Sequence, residues 1–227
     1  MIRLLLFLML ASPALHFDIV DARGKKPSGV SVEADAPDAD GWCPLKVVNK
    51  NKASAGKPQP VYVFAWPYDA RAKVADGPGD IPVLLFEAGD PKVLANPKLV
   101  AALGAAKLLG QPVESGFDAA ALEKALAALT TSEDPFAKGV ALLAANKPSD
   151  AVEPLSRVLR ERERQLTRVP SELYPAAILA GRALLGAGKY DLAAVAFLKA
   201  LHQRPSSEDA KRFRAEALEK AGKADAK

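Results

Sequence analysis

The sequence predicts an α+β protein, a small β-rich N-terminal module followed by an α-helical array of stacked hairpins. Three observations lead there. The composition changes near residue 90, from a stretch rich in Pro, β-branched and aromatic residues to one rich in Ala and Leu. Before the change, short apolar runs alternate with polar residues; after it, the apolar residues fall at helical spacing. The chain of 227 residues is 49% apolar and 26% charged, a globular balance and not that of a disordered chain.

The N-terminus reads as an address. Arg3 supplies a positive charge and Leu4 to Leu15 is an apolar run interrupted by Pro13. A run of about twelve residues is too short to span a bilayer, which takes about twenty. A charged start, a short apolar core and small residues after it describe a signal peptide over residues 1–22, the alternative being a retained apolar anchor that does not span the bilayer. Small residues at −3 and −1 fit cleavage after Ala14 (Ser12, Ala14) or after Ala22 (Val20, Ala22). The second is preferred, because the basic run Arg23-Gly24-Lys25-Lys26 would then open the mature chain. The expectation is an exported protein, periplasmic or extracellular, with no further membrane association once the leader is removed.

Residues 23–91 form the expected β-rich module. Strands are read over Gly29–Ala34, Leu45–Val48, Pro60–Trp66 and Ile81–Glu87, with breaker-rich stretches at Asn51–Pro58 and Asp76–Asp80. Pro82 suits only a strand start or an edge. A sheet this small buries little by itself and needs the helices that follow.

Residues 92–227 form the helical domain. Asn96-Pro97, Asp134-Pro135 and Ser206-Ser207 each place an oxygen-bearing cap before a helical run. Helices are expected over Leu99–Leu109 and Phe117–Leu129, and turns at Leu109-Gly110, Asn146-Lys147, Gly188-Lys189 and Gly222-Lys223. A repeat then emerges. In 174–207 the small and large residues fall at Ala177, Gly181, Leu184, Gly188, Tyr190, Ala193, Phe197, Ala200, Leu201 and Pro205. Residues 132–173 repeat the scheme at Gly139, Leu142, Asn146, Pro148, Ala151, Leu155, Val158 and Leu159, with Asn146 in place of the turn Gly and the second helix running on through Arg168. Ala215 and Gly222 match the start of another copy, so residues 208–222 read as a capping helix. Gly181 and Ala193 would sit where the helices of a hairpin approach most nearly, and Tyr190 and Phe197 would fill the space between that hairpin and the next.

This pattern resembles the tetratricopeptide repeat, a helix–turn–helix unit of 34 residues, specifically over 132–222 and more loosely from 92. The resemblance implies protein binding in a groove lined by the first helix of each pair. The residues falling there are Phe136, Val140, Ile178, Arg182, Arg212 and Glu216. Most are apolar, so the groove does not look like one that grips a C-terminal carboxylate through Lys, Asn and Arg. It suits an amphipathic helix or strand, with apolar anchors and a salt-bridged rim. It could equally be filled by the N-terminal module or by a second copy of the chain.

The remaining features point away from catalysis. Cys43 stands alone in Gly41-Trp42-Cys43-Pro44, so dithiol exchange has no second thiol. The acidic run Asp35–Gly41 does not place calcium ligands correctly and reads as a solvated turn. The Arg-rich stretch Ser156–Arg168 reads as a solvated helix face with Arg157–Glu161 and Arg160–Glu163 pairs. His202 has no nucleophile near it in sequence. A net charge of +4 is too small and too dispersed for nucleic acid. The expected function is therefore non-enzymatic, with no cofactor and no metal: an exported protein of a bacterial cell envelope that binds or scaffolds other proteins. The alternatives are a self-assembling structural subunit, and an enzyme with its site in the N-terminal module.

Overall fold

In the computed structural model the described residues are 15–21, 24–51, 62–73, 81–87, 90–111, 118–165 and 170–225. The core of the expected leader and the expected turns at 52–58 and 76–80 lie outside them.

Six strands are described: β1 Phe17–Val20, β2 Val30–Ala34, β3 Trp42–Asn49, β4 Tyr62–Trp66, β5 Arg71–Lys73 and β6 Ile81–Glu87. They form two three-stranded sheets. In one, β6 lies between β1, which runs parallel to it, and antiparallel β4; in the other, β3 lies between antiparallel β2 and β5. The alternation in β2 points Val30 and Val32 inward, and Ile19, Leu45, Ala72, Val83 and Leu85 complete one apolar cluster drawn from both sheets. Pro82 is the second residue of β6, at a strand start as expected, although β6 is central.

Two strands depart from the expectation. β1 lies inside the residues 1–22 read as leader, so the β region begins at Phe17 and not at 23. β5 has three residues, too few for an alternating pattern to be seen. Each owes its pairing to a distant partner, Phe17 to Ile81 and Cys43 to Ala72, and tertiary pairing of this kind leaves no local signature.

The helices are α1 Pro91–Leu94, α2 Pro97–Leu108, α3 Ala119–Ala128, α4 Pro135–Ala144, α5 Pro148–Arg164, α6 Pro170–Gly186, α7 Tyr190–Gln203 and α8 Glu208–Asp225, with a 3-10 turn at Leu129–Thr131. The expected caps are made. Asn96 accepts from the Lys98 and Leu99 amides, Asp134 from those of Phe136 and Ala137, and the Ser207 hydroxyl from that of Ala210. From α4 to α8 each helix packs on the next, so 135–164 and 170–203 are two hairpins and α8 closes the row. The second hairpin starts at Pro170, before the residue 174 expected, and α5 ends at Arg164, before the Arg168 expected.

One turn chemistry recurs. α2, α4 and α6 end on left-handed residues, Gly110, Asn146 and Gly188. In each, two crossed bonds close the helix: Gly110 to Lys107 and Gln111 to Ala106, Asn146 to Leu143 and Lys147 to Leu142, Gly188 to Leu185 and Lys189 to Leu184. This is the Schellman arrangement, which needs φ above zero and therefore Gly or Asn. The hairpins also close over a missing side chain. A Cβ at Gly181 would lie 2.5 Å from the Phe197 ring, and one at Gly139 would lie 2.5 Å from Leu155.

The β region does not stand apart from the helices. Trp42 and Phe86 are buried in the main helical core, and the Trp42 indole N–H donates to the Gln203 carbonyl at 3.0 Å. Lys73 donates to the same carbonyl at 3.1 Å, and the Ser206 amide donates to the Asp40 carboxylate. β4 packs on α2 and β5 on α6.

Candidate functional site

Between β4 and β5 the chain turns at Pro67–Ala70, closed by a bond from the Ala70 amide to the Pro67 carbonyl. Ala70 is left-handed, φ +52°. This turn lies against the helices whose exposed faces were expected to form the groove. Tyr68 stacks on Phe136, with centroids 5.2 Å apart, and meets Trp66 edge-on at 4.7 Å. Burial pushes its hydroxyl far above the ordinary phenol range. The Gln111 side chain donates to the Asp69 carbonyl at 3.2 Å and ties the turn to the end of α2.

Asp69 is the unusual residue of the turn. It is buried, and among the described residues its carboxyl oxygens have no well-formed hydrogen bond. Burial pushes its pKa up to about 6, while the charges of Arg204 and Arg71 pull the other way. The Arg204 guanidinium lies 4.0 Å from Asp69 and 3.8 Å from Asp38, and over the rings of Trp42 and Tyr174. Tyr174 shares a 2.7 Å hydrogen bond with Ser207 at the start of α8. Arg204 therefore links the β region to the α7–α8 connection through both its charge and its plane.

Beside this junction lies a cleft of about 560 Å³. Its helical wall includes Ile178, Arg182, Arg212 and Phe213, while the turn contributes Asp69 and β5 contributes Arg71. Ile178 is almost fully buried at its floor. Arg182 donates to the Leu108 carbonyl at the end of α2 and lies over the Phe213 ring at 5.8 Å. Arg212 lies over the same ring at 4.3 Å and pairs with Asp209 at 3.0 Å. Burial, and then the neighbouring charge of Arg212, lower the Arg182 pKa. Four arginines, including Arg204, face three carboxylates (Asp69, Glu208, Asp209) around the cleft. It is a cationic recess with an apolar floor.

Of the residues read as groove contacts, the structure brings Ile178, Arg182 and Arg212 together in this cleft. It separates the other three. Phe136 lines a second cleft of about 400 Å³ with Tyr68, Lys98 and Arg162. Val140 is fully buried, and a Cβ on Gly104 of α2 would touch it at 2.7 Å, so α2 covers the face on which a partner was expected. Glu216 pairs with Lys220 at 2.7 Å and does not line the cleft. Asp69, Arg71, Arg204 and Phe213 were not read from the sequence. Asp69 and Arg204 lie far apart in the chain, and nothing local marks either as a partner of the other.

The other sequence features have structural uses. Asp38 accepts from the Asp40 and Trp42 amides and shapes the acidic turn, while Asp35 pairs with Lys46. Cys43 is buried, and that burial, with Asp38 adding to it, raises its thiol pKa. Arg157 pairs with Glu161 at 2.8 Å as expected, but Glu163 pairs with Lys199 of α7, and Arg162 reaches Glu172. Among the described residues no helix is long and apolar enough to cross a membrane. The chain matches no family model, no curated protein and no solved structure.

Proposed function

We propose that this chain is an exported binding or scaffolding protein of the tetratricopeptide type, whose partner engages the cleft beside the Pro67–Ala70 turn. The observation that carries this reading is the pair Arg182 and Arg212, both held over Phe213 above an apolar floor. Four arginines against three carboxylates leave the cleft one positive charge in excess, which an arriving anion offsets. A segment with an apolar side chain for the floor and a carboxylate beside it has the matching chemistry. An amphipathic helix or strand with acidic residues on one face carries both. The rest of the expected groove is filled from within the chain, by α2 over Val140 and by Tyr68 over Phe136.

Arg212 is the residue to test, because it is exposed and its loss leaves the core intact. Ile178, by contrast, is buried, so a Glu there would unfold the protein. Crosslinking affinity capture of the full-length chain from its native host is expected to recover a partner through the wild type and to lose it with Arg212→Glu. Unchanged capture by a normally folded Arg212→Glu protein would remove the cleft from the function.

A second reading, self-assembly, has its own observation. Leu192, Val195 and Leu198 are exposed at intervals of three along α7, and Leu218 is exposed on α8. Light scattering that shows a monomer at high concentration would eliminate it.

A further inference from the structure

We propose that a second copy of this chain docks on the outward face of α7, the two α7 helices packing antiparallel about a two-fold axis at Val195. The proposal deepens the self-assembly reading, on which it rests, and is independent of the cleft: none of the residues it uses lines that recess.

Among the described residues, the large apolar side chains left in solvent are Leu192 (57% exposed), Val195 (50%) and Leu198 (36%) on α7, and Leu218 (47%) on α8, which packs along it. All four belong to the last two helices of the row. The opposite side of α7 is used within the chain, with Ala193, Ala196, Phe197 and Ala200 buried in the core. The face that a solvated helix would cover with charge is instead apolar at its centre.

What lies at the ends of that face identifies the occupant. Asp191 is exposed one residue before Leu192, and Lys199 follows Leu198 with 40% of its side chain exposed. Leu192, Val195 and Leu198 form one row at i, i+3 spacing, and Asp191, Val195 and Lys199 form another at i, i+4; the rows cross at Val195. The order acid, three apolar residues, base is complementary to its own reverse. A two-fold axis at Val195 sets Val195 against its own mate, Leu192 against Leu198 and Asp191 against Lys199, the last two pairs each made twice. Parallel packing would instead oppose Asp191 to Asp191 and Lys199 to Lys199. Lys199 already pairs with Glu163 of α5 at 2.6 Å, but an ammonium has three donors, so Asp191 of the second copy joins that pair and does not replace it. One helix face is a small interface, so the dimer forms at high protein concentration and separates on dilution.

The test is light scattering on the full-length chain over a range of concentrations, together with oxidation of variants that each carry one added cysteine. Cys43, the one native cysteine, is buried, so each introduced thiol is the accessible one. The mass is expected to rise from monomer to dimer with concentration. Val195→Glu, at an exposed position, is expected to weaken the dimer about tenfold or more with an unchanged circular dichroism spectrum. Val195→Cys is expected to form a disulfide-linked dimer. Leu192→Cys is expected to link to Leu198→Cys when the two proteins are mixed, and neither to itself. A dimer in which Leu192→Cys links to itself, in which no cysteine on α7 links, or which Val195→Glu leaves intact would overturn this arrangement while leaving self-assembly standing. A chain that stays monomeric at every concentration would overturn both.

Discussion

Asp69 carries the pH behaviour of the junction. Its folded pKa is raised to about 6, mainly by burial, against an ordinary carboxylate value of 3.8. Between those values the folded protein holds a proton that the unfolded chain has released, so stability rises as pH falls through 6 and levels off below about 4. Above pH 6 the ionised group is a standing cost, on the order of 2–3 kcal/mol. Asp69→Asn removes it. The variant is expected to melt higher than the wild type at pH 7.5 and close to it at pH 4. Parallel pH profiles for the two proteins would show that Asp69 is not the group responsible.

At the scale of elements, the closest helix approaches are governed by glycine. Gly181 faces the Phe197 ring and Gly139 faces Leu155, each with no room for a methyl group. Gly181→Ala is expected to destabilise by about 1–3 kcal/mol through overpacking. Gly222→Ala meets nothing within 4 Å, so it gives the helix-propensity gain alone and serves as the control in denaturant titration. These positions were legible because the spacing marks them: Gly181 as a point of close approach, and Asn146 where a turn Gly was expected, follow from it, but the spacing pairs Gly181 with Ala193 where the structure sets it against Phe197. The missed elements lack that redundancy. β1 and β5 are three or four residues long and are specified by strands far away in the chain. The charged stretch 156–168 was read as pairing within its own helix, yet Glu163 reaches α7, because helix i,i+4 spacing says nothing about a neighbouring helix.

For the whole molecule, the sequence divides the chain near residue 90, and that compositional boundary is real. It is not a boundary of folding. Trp42 and Phe86 belong to the helical core, Arg204 sits between carboxylates of the β region, and Tyr68 stacks on Phe136 of α4. Composition reports which secondary structure a stretch favours, and it carries no information about which faces meet. The same gap explains the site. Ile178 and Arg182 of α6 and Arg212 of α8 line one cleft, while Asp69 and Arg71, which line it too, come from the region that seemed separate.

If the β region and the helices share one core, they unfold together, and one experiment reads both parts. The two tryptophans of the chain, Trp42 and Trp66, lie in the β region. Their fluorescence reports that region, while far-ultraviolet circular dichroism is dominated by the helices. Urea titration followed by both signals is expected to give a single coincident transition with one midpoint. A fluorescence transition completed while the helical signal stays native would contradict the shared core, and the cleft between the two parts would go with it.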